Sequence, residues 1–349
     1  MSAALAHFAP ASSIPAAPGP AARRGFERLL LVHADRGSYR HADIAALPDA
    51  LEPGDLVVLN DAATLPASLH AATPEGAAVE VRLAGRLGPA RHRVAVLGAG
   101  DWRTPTEDRP APPTIRAGDV LTASPRLHLR VDAVDGRFAD ITFRERGPAL
   151  LAELYRVGRP VQYSYLAEDV PLRAFQTSYG GRPWASEMPS AGRPLSWQVL
   201  LDLRRRGVEL ATLTHAAGLS SIDGGALDAS LPLPERYELP ARTVAAVARA
   251  RARGGRVIAV GTTVVRALES NVRRHGALVP GTFTAELVLT PDTTPAVVDG
   301  LLSTMHEPGE SHFELLSAFA DPGLLIAANA SAAARGYRAH EFGDAILIL

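Results

Sequence analysis

Cysteine is absent from the 349 residues, which removes disulfides, thiolate metal sites, iron–sulfur clusters and cysteine nucleophiles together. Lysine is absent too: all 36 basic residues are arginine, so Schiff-base chemistry and a P-loop lysine are excluded. Long apolar runs are missing. Stretches such as Leu29 to Val32 and Leu56 to Leu59 fall far short of the roughly 20 residues of a membrane-spanning helix, so no membrane contact is expected. Excess charge of either sign is also lacking: at a net charge of −1 no whole-molecule field draws the chain to nucleic acid, and any RNA contact must come from a local patch. The cytoplasm is the expected compartment.

What is present is enough apolar sequence, 47%, for two domains with their own cores. Arg23-Arg24-Gly25-Phe26 before Leu29-Leu30-Leu31-Val32 imitates a twin-arginine export signal, but His33 and Asp35 interrupt the apolar stretch too early. Residues 1–22, rich in Ala and Pro, read as a disordered lead-in. From Arg28 a strand, a polar turn and a short helical stretch lead through Glu52-Pro53-Gly54-Asp55 into a second strand, Leu56 to Leu59, ending at Asn60-Asp61. Between 62 and 148, short alternating runs (Ala78 to Leu83, His92 to Leu97, Leu127 to Val134, Arg137 to Phe143) separated by Gly, Pro and Asp suggest a small antiparallel barrel or sandwich. Beyond 149 strands alternate with helices: Trp197 to Arg206 helical, Val208 to Thr214 extended, Thr243 to Arg253 helical, Arg256 to Val260 extended. The expected architecture is an α/β main domain, residues 23–61 plus 149–349, with an antiparallel β-barrel domain inserted at 62–148.

The segment Gly254 to Ser270 reads as a buried strand, a turn at Gly261-Thr262-Thr263 and a helix carrying Arg266 and Glu269. Free N–H groups at such a helix start, at the carboxyl end of a strand, suit an anion such as a carboxylate. Simple capping by Thr262 or Thr263, and mutual pairing of Arg266 with Glu269, are the bland alternatives. The loop Met305 to Glu314 packs His306, Glu307, Glu310, His312 and Glu314 together. Its spacing is not HExxH and Pro308-Gly309 breaks any helix, so metal binding is not expected, and the loop reads as a place of proton transfer or substrate contact, or as plain polar surface. His215 ends an extended run, where a strand delivers a side chain into a crevice or into the core. Asn60-Asp61, Gln176-Thr177 and Gly343-Asp344 are pocket groups or turn formers. The runs Arg204 to Arg206, Arg251 to Arg256 and Arg273-Arg274 suit phosphates or helix ends.

Several of these pieces, in this order, resemble the S-adenosylmethionine:tRNA ribosyltransferase-isomerases of queuosine biosynthesis: Arg28-Leu29-Leu30, Pro53 to Asp61, Phe175-Gln176-Thr177, Ala259 to Ser270, Leu316 to Phe319, and Tyr337-Arg338 with Phe342 to Ile348. The resemblance implies the same two-part fold and a reaction that moves the ribosyl part of S-adenosylmethionine onto the aminomethyl group of a 7-deazaguanine base in tRNA. Adenine and methionine leave, an epoxycyclopentanediol remains, and no metal is required. It implies S-adenosylmethionine contacts from Gly261, Thr262, Thr263, Arg266, Glu269, Gln176, Thr177, Ser190 and Gly192, and substrate contacts from Asn60, Asp61 and Asp344. Proton transfer then falls to His215 or His306; in a divergent relative acting on a small molecule, the catalytic site would be His306, Glu307, Glu310 and His312. The chain departs from the family pattern at several of these places: Pro194 stands for a histidine, Ala62-Ala63 for threonine and arginine, Ala216 to Ser221 for a glycine-rich stretch, and Leu231 to Tyr237 for a histidine-rich stretch of which Glu235 remains. In the last motif His306 and Pro308 are kept while Glu307, Gly309 and Glu310 replace others. Exchange of basic groups for carboxylates points alternatively to a paralogue acting on a small-molecule acceptor, or to a binding protein on the same fold. Oligomeric state is not legible.

Overall fold

The computed structural model describes residues 13–21, 24–222, 228 and 231–349. Its centre is a nine-stranded mixed sheet. Four neighbouring strands, Glu209–His215, Leu56–Asn60, Val257–Val260 and Gly300–Thr304, run parallel in that order. On one side Ala345–Ile348 pairs antiparallel to Gly300–Thr304, followed by Arg28–His33 and Ser38–Asp43. On the other, Glu235–Leu239 and Gly281–Ala285 extend the sheet antiparallel.

The central parallel strands Leu56–Asn60 and Val257–Val260 are short apolar runs because both faces are covered. Leu56, Val58, Val257 and Ala259 pack on one side with the helices Ala241–Ala252, Thr262–His275 and Pro322–Ala334. Val57, Leu59, Ile258 and Val260 pack on the other with the helix Trp197–Arg205. Alternate residues of one strand thus belong to two cores, as the two-residue period of a strand requires.

The second unit is a closed antiparallel barrel of six strands between Ser68 and Phe143. The helix Gly147–Val157, read from sequence as the start of the returning α/β layer, instead packs Leu150 and Leu154 into the barrel core. The neck between the units is a two-stranded parallel ribbon, Ala62–Thr64 with Arg182–Ala185. It holds the chain's exit into the barrel against its return.

The expected disordered lead-in gives way to order where it is described. Ile14 and Ala17 are buried, Ala17 N–H donates to Ala339 O, and Ala339 N–H to Pro15 O. The apolar Ile14 and this bridge outweigh the Ala/Pro composition that suggested disorder; residues 1–12 and 22 lie outside the described set.

On the face of the barrel strand opposite the core residues Val79, Val81 and Leu83, Glu80 accepts from both Arg82 and Arg109, all three side chains buried. Burial alone would raise the Glu80 carboxyl, but the two guanidiniums hold it down at about 2. A depressed folded-state pKa stabilises the fold fully above the unfolded carboxyl's value, about 4.3. That stabilisation is lost as pH falls towards 2. Glu80→Gln strands two buried guanidiniums and is expected to cost about 3–5 kcal/mol at pH 7. Urea unfolding from pH 7 to 3 should also show a weaker acid dependence than wild type; an unchanged midpoint at pH 7 contradicts this account.

Candidate active site

The four parallel strands deliver their carboxyl ends to one edge, in the spatial order His215, Asn60, Gly261 and the Thr304–His306 segment. Because Ala345–Ile348 runs antiparallel, its start brings Asp344 to the same edge. Open α/β sheets place ligands outside this edge.

Asn60 ties the edge together. Its Nδ2 donates to His215 O at 3.0 Å and Thr263 Oγ1 at 3.2 Å, and its Oδ1 accepts from the N–H groups of His215 and Ala62 at 2.9 and 3.1 Å. This side chain is buried and spent on positioning. Asp61 Oδ1 accepts from Thr214 Oγ1 at 2.5 Å, and Arg182 bridges Thr214 to Glu238.

At Gly261 the backbone adopts φ +90°, a conformation that suits glycine. It turns the chain into the helix Thr262–His275, whose first N–H groups lack intrahelical acceptors and favour an anion. Gly261 lies against Ala191, within the short 3₁₀ turn Ser190–Gly192. Gly192 meets the Tyr179 side chain so closely that a Cβ there would sit 1.9 Å from the hydroxyl and 3.3 Å from Thr177 Cγ2. Thr177 Oγ1 is buried without a hydrogen-bond partner. Gly261–Thr263, Ser190–Gly192, Thr177 and Tyr179 therefore form one contiguous surface.

Several residues expected to meet ligands are used by the fold. Each nitrogen of the buried Arg266 guanidinium has an internal acceptor: Leu287 O, the Glu235 carboxylate, and the carbonyls of Leu233 and Ala285. Glu269, completely buried, accepts from three successive N–H groups, Ala296, Val297 and Val298. The two do not pair with each other, and neither carries a free polar group to a cofactor. Gln176 spends both ends of its amide on the backbone of Thr64. Asp344 accepts from Arg28 N–H at 2.7 Å and Arg338 N–H at 2.9 Å, so it fastens the chain rather than facing substrate. Glu307 accepts from Ile14 N–H at 2.6 Å and thereby anchors the N-terminal segment.

The histidines divide. His215 is wholly buried with neither ring nitrogen hydrogen-bonded, stacked along Tyr237, its Nε2 3.7 Å from Glu235. Burial, then the Arg266 charge, pushes its pKa well down, so the ring is neutral and enclosed. His306 is partly exposed, with Nε2 3.1 Å from Thr304 Oγ1 and Nδ1 3.5 Å from Glu310, and its ring stacks on His312 at 4.7 Å. Burial among these groups, with the neighbouring His306, lowers His312 to about 3. Among the described residues no group of three or more His, Asp or Glu side chains is arranged to hold a metal ion, and no helix is long and apolar enough to cross a membrane.

Sequence reasoning missed a second cluster at this edge. The Tyr163 hydroxyl donates to Glu187 and the Tyr165 hydroxyl to Glu341. The two tyrosine rings stack at 5.9 Å, and His340 stacks on Tyr165 at 4.6 Å. His340 holds a left-handed backbone, φ 66°, uncommon for a residue with a Cβ. Burial, then the Glu341 charge, raises the Glu187 carboxyl to about 7. Glu187 lies three residues before Ser190, and a carboxylate amid Trp184, Met188 and Pro189 was the available signal.

The chain matches the family model "Queuosine biosynthesis protein" over residues 9–348. Among curated proteins it is 36% identical over 342 residues to an S-adenosylmethionine:tRNA ribosyltransferase-isomerase of Anaeromyxobacter dehalogenans, covering 95% of each. It is 35% identical over 334 residues to the protein of that name from Thermus thermophilus, covering 93% of each. Among solved structures, the S-adenosylmethionine tRNA ribosyltransferase of Thermotoga maritima superposes with a TM-score of 0.52 at 25% identity, over 96% of both chains.

Gly192→Ala is expected to destabilise the protein by about 1–3 kcal/mol through overpacking against Tyr179. Tyr179→Phe in the same chain should restore part of the loss. A double-mutant cycle in thermal unfolding measures this coupling, and strict additivity would rule out the contact as the cause.

Proposed function

Given that the chain belongs to the S-adenosylmethionine:tRNA ribosyltransferase-isomerase family, we propose that it catalyses that family's reaction, in the cytoplasm, with S-adenosylmethionine as co-substrate and tRNA as acceptor. The single observation that carries this reading is the gathering of the family-like segments at one strand edge, with proton-transfer groups beside them. The helix start at Thr262–Thr263 suits the methionine carboxylate. Ser190, partly exposed, offers a polar contact beside it.

The reaction needs a base to take a proton beside the sulfonium and a group to protonate departing adenine. Glu187, raised to about 7 by burial and the Glu341 charge, is partly ionised at neutral pH and basic enough to accept a proton, so we assign it the base role. His306, with Glu310 3.5 Å from its Nδ1 as counter-ion, suits the acid. Pro194 occupies the place of a family histidine, and Glu187 supplies a proton acceptor from the same segment. His215 is left to support the edge from within the core.

Assay of adenine release from S-adenosylmethionine, with and without tRNA bearing the aminomethyl-deazaguanine base, tests the function directly; release that does not depend on that tRNA overturns it. Activity should rise with pH along a limb near 7 as Glu187 loses its proton. Glu187→Gln should lower kcat by about 10²–10⁴-fold and abolish that limb. The sign for stability is opposite. A carboxyl whose folded pKa lies above its unfolded value destabilises the fold once ionised, so the same variant should melt higher than wild type at pH 8. A melting point lowered at pH 8 refutes the assignment of Glu187 as a strained base.

A further inference from the structure

A cavity of about 220 Å³ opens between the barrel and the main domain, with Ser186, the chain neighbour of Glu187, in its lining. One wall is apolar, from Leu83 of the barrel and from Leu150 and Leu154 of the helix that closes it. The opposite wall is cationic. Arg236 and Arg182 both lie over the indole of Trp184, at 3.8 and 4.2 Å from its centroid, and Arg86 completes the rim. Arg182 is neutralised by Glu238. Among the described residues, no carboxylate lies within salt-bridge distance of Arg86 or Arg236. Burial, then the charges of Arg86 and Arg182, lower the pKa of Arg236, with Glu238 opposing them only in part, so an anion at this rim relieves a repulsion. His92, more than nine-tenths buried, also lines the cavity, and its Nδ1 has no hydrogen-bond partner.

We propose that this cavity receives one unstacked nucleobase of the RNA substrate, with the adjoining phosphate held by Arg86 and Arg236. The inference rests on the tRNA reading above and deepens it. A guanidinium plane already stacked on an indole presents a flat cationic face, and a base extends such a stack while leucines cover its other side. Ser186, in the cavity lining, supplies a hydrogen bond to a base edge that apolar walls lack. Burial and the Arg86 charge hold His92 down at about 4, so its ring is neutral, with one donor and one acceptor. The volume lies below the roughly 300–1,000 Å³ of drug-sized pockets, which limits the occupant to a single small ring system.

Fluorescence anisotropy of a labelled anticodon stem-loop measures binding to wild type and to Arg86→Ala, Arg236→Ala and Arg236→Lys, with calorimetric titration of S-adenosylmethionine as the folding control. Both alanine variants should bind the stem-loop at least about tenfold more weakly, with a salt dependence shallower by about one ion, while S-adenosylmethionine affinity is unchanged. Arg236→Lys should recover the salt dependence but not the affinity, because it keeps the charge and loses the plane. Wild-type stem-loop affinity in both alanine variants, alongside tRNA-dependent adenine release by wild type, overturns the cavity assignment and leaves the function standing. Absence of both binding and release in wild type overturns the function and the RNA occupant together. Adenosine monophosphate that binds wild type but not Arg236→Ala, without stem-loop binding, identifies a free nucleotide as occupant and overturns the RNA source.

Discussion

The amide of Asn60 is the constraint on which the carboxyl edge of the parallel strands depends. One buried side chain fixes the end of the strand that carries it, the end of the neighbouring strand through both backbone groups of His215, and the start of the helix Thr262–His275 through Thr263. A planar amide with a donor end and an acceptor end can satisfy this set; a carboxylate lacks the donors and an apolar residue leaves buried backbone groups unpaired. Three segments distant in sequence are thereby held in one register at the place where open α/β sheets bind ligands. The parallel core supplies rigidity from both faces, and Asn60 converts that rigidity into a fixed site.

The absence of lysine shapes the electrostatics around this frame. Every buried cation is a guanidinium, which remains charged and must therefore be paired or hydrogen-bonded on several sides. Arg266, Arg82 with Arg109, and Arg193 with Glu27 meet this demand deep in the structure. Buried carboxylates divide accordingly. Glu80, between two guanidiniums, is held down at about 2; Glu235, facing Arg266 alone, is raised by its burial all the same; Glu187 faces tyrosine and another carboxylate and is pushed up to about 7. The contrast sets a structural carboxylate apart from one suited to proton transfer.

Strand edges were legible in the sequence because the signals there are local. A short apolar run followed by Asn60-Asp61, His215 or Gly261-Thr262-Thr263 marks a strand's end whatever its neighbours, and the barrel's alternating runs likewise announce themselves by period. Side-chain employment was not legible. Arg266 and Glu269, three apart on one helix, invite mutual pairing, yet their partners lie about 20 to 30 positions further along the chain or before it. Asp344 and Glu307 serve backbone groups at Arg28 and Ile14. Contacts of that separation leave no periodic trace. The helix Gly147–Val157 was likewise assigned to the wrong core, since amphipathic spacing shows that a face is buried but not against what.

The departures from the family pattern take on a physical meaning in this light. Where Pro194 stands for a histidine of the family pattern one titrating group is missing, and Glu187, seven residues earlier, lies on the same edge with its carboxyl raised to about 7. A carboxylate replaces an imidazole in proton transfer only if its pKa rises by several units, and that requires burial without a cation. Tyr163 and Tyr165 provide the burial, Glu341 the repulsion, and the left-handed His340 closes the stack over them. Arg82, the nearest guanidinium over Tyr163, is kept in an ion pair with Glu80. Arg82 feels the Glu187 charge as well as that of Glu80, but its guanidinium hydrogen-bonds to Glu80, and burial with the Glu341 charge still sets the Glu187 carboxyl above the ordinary range.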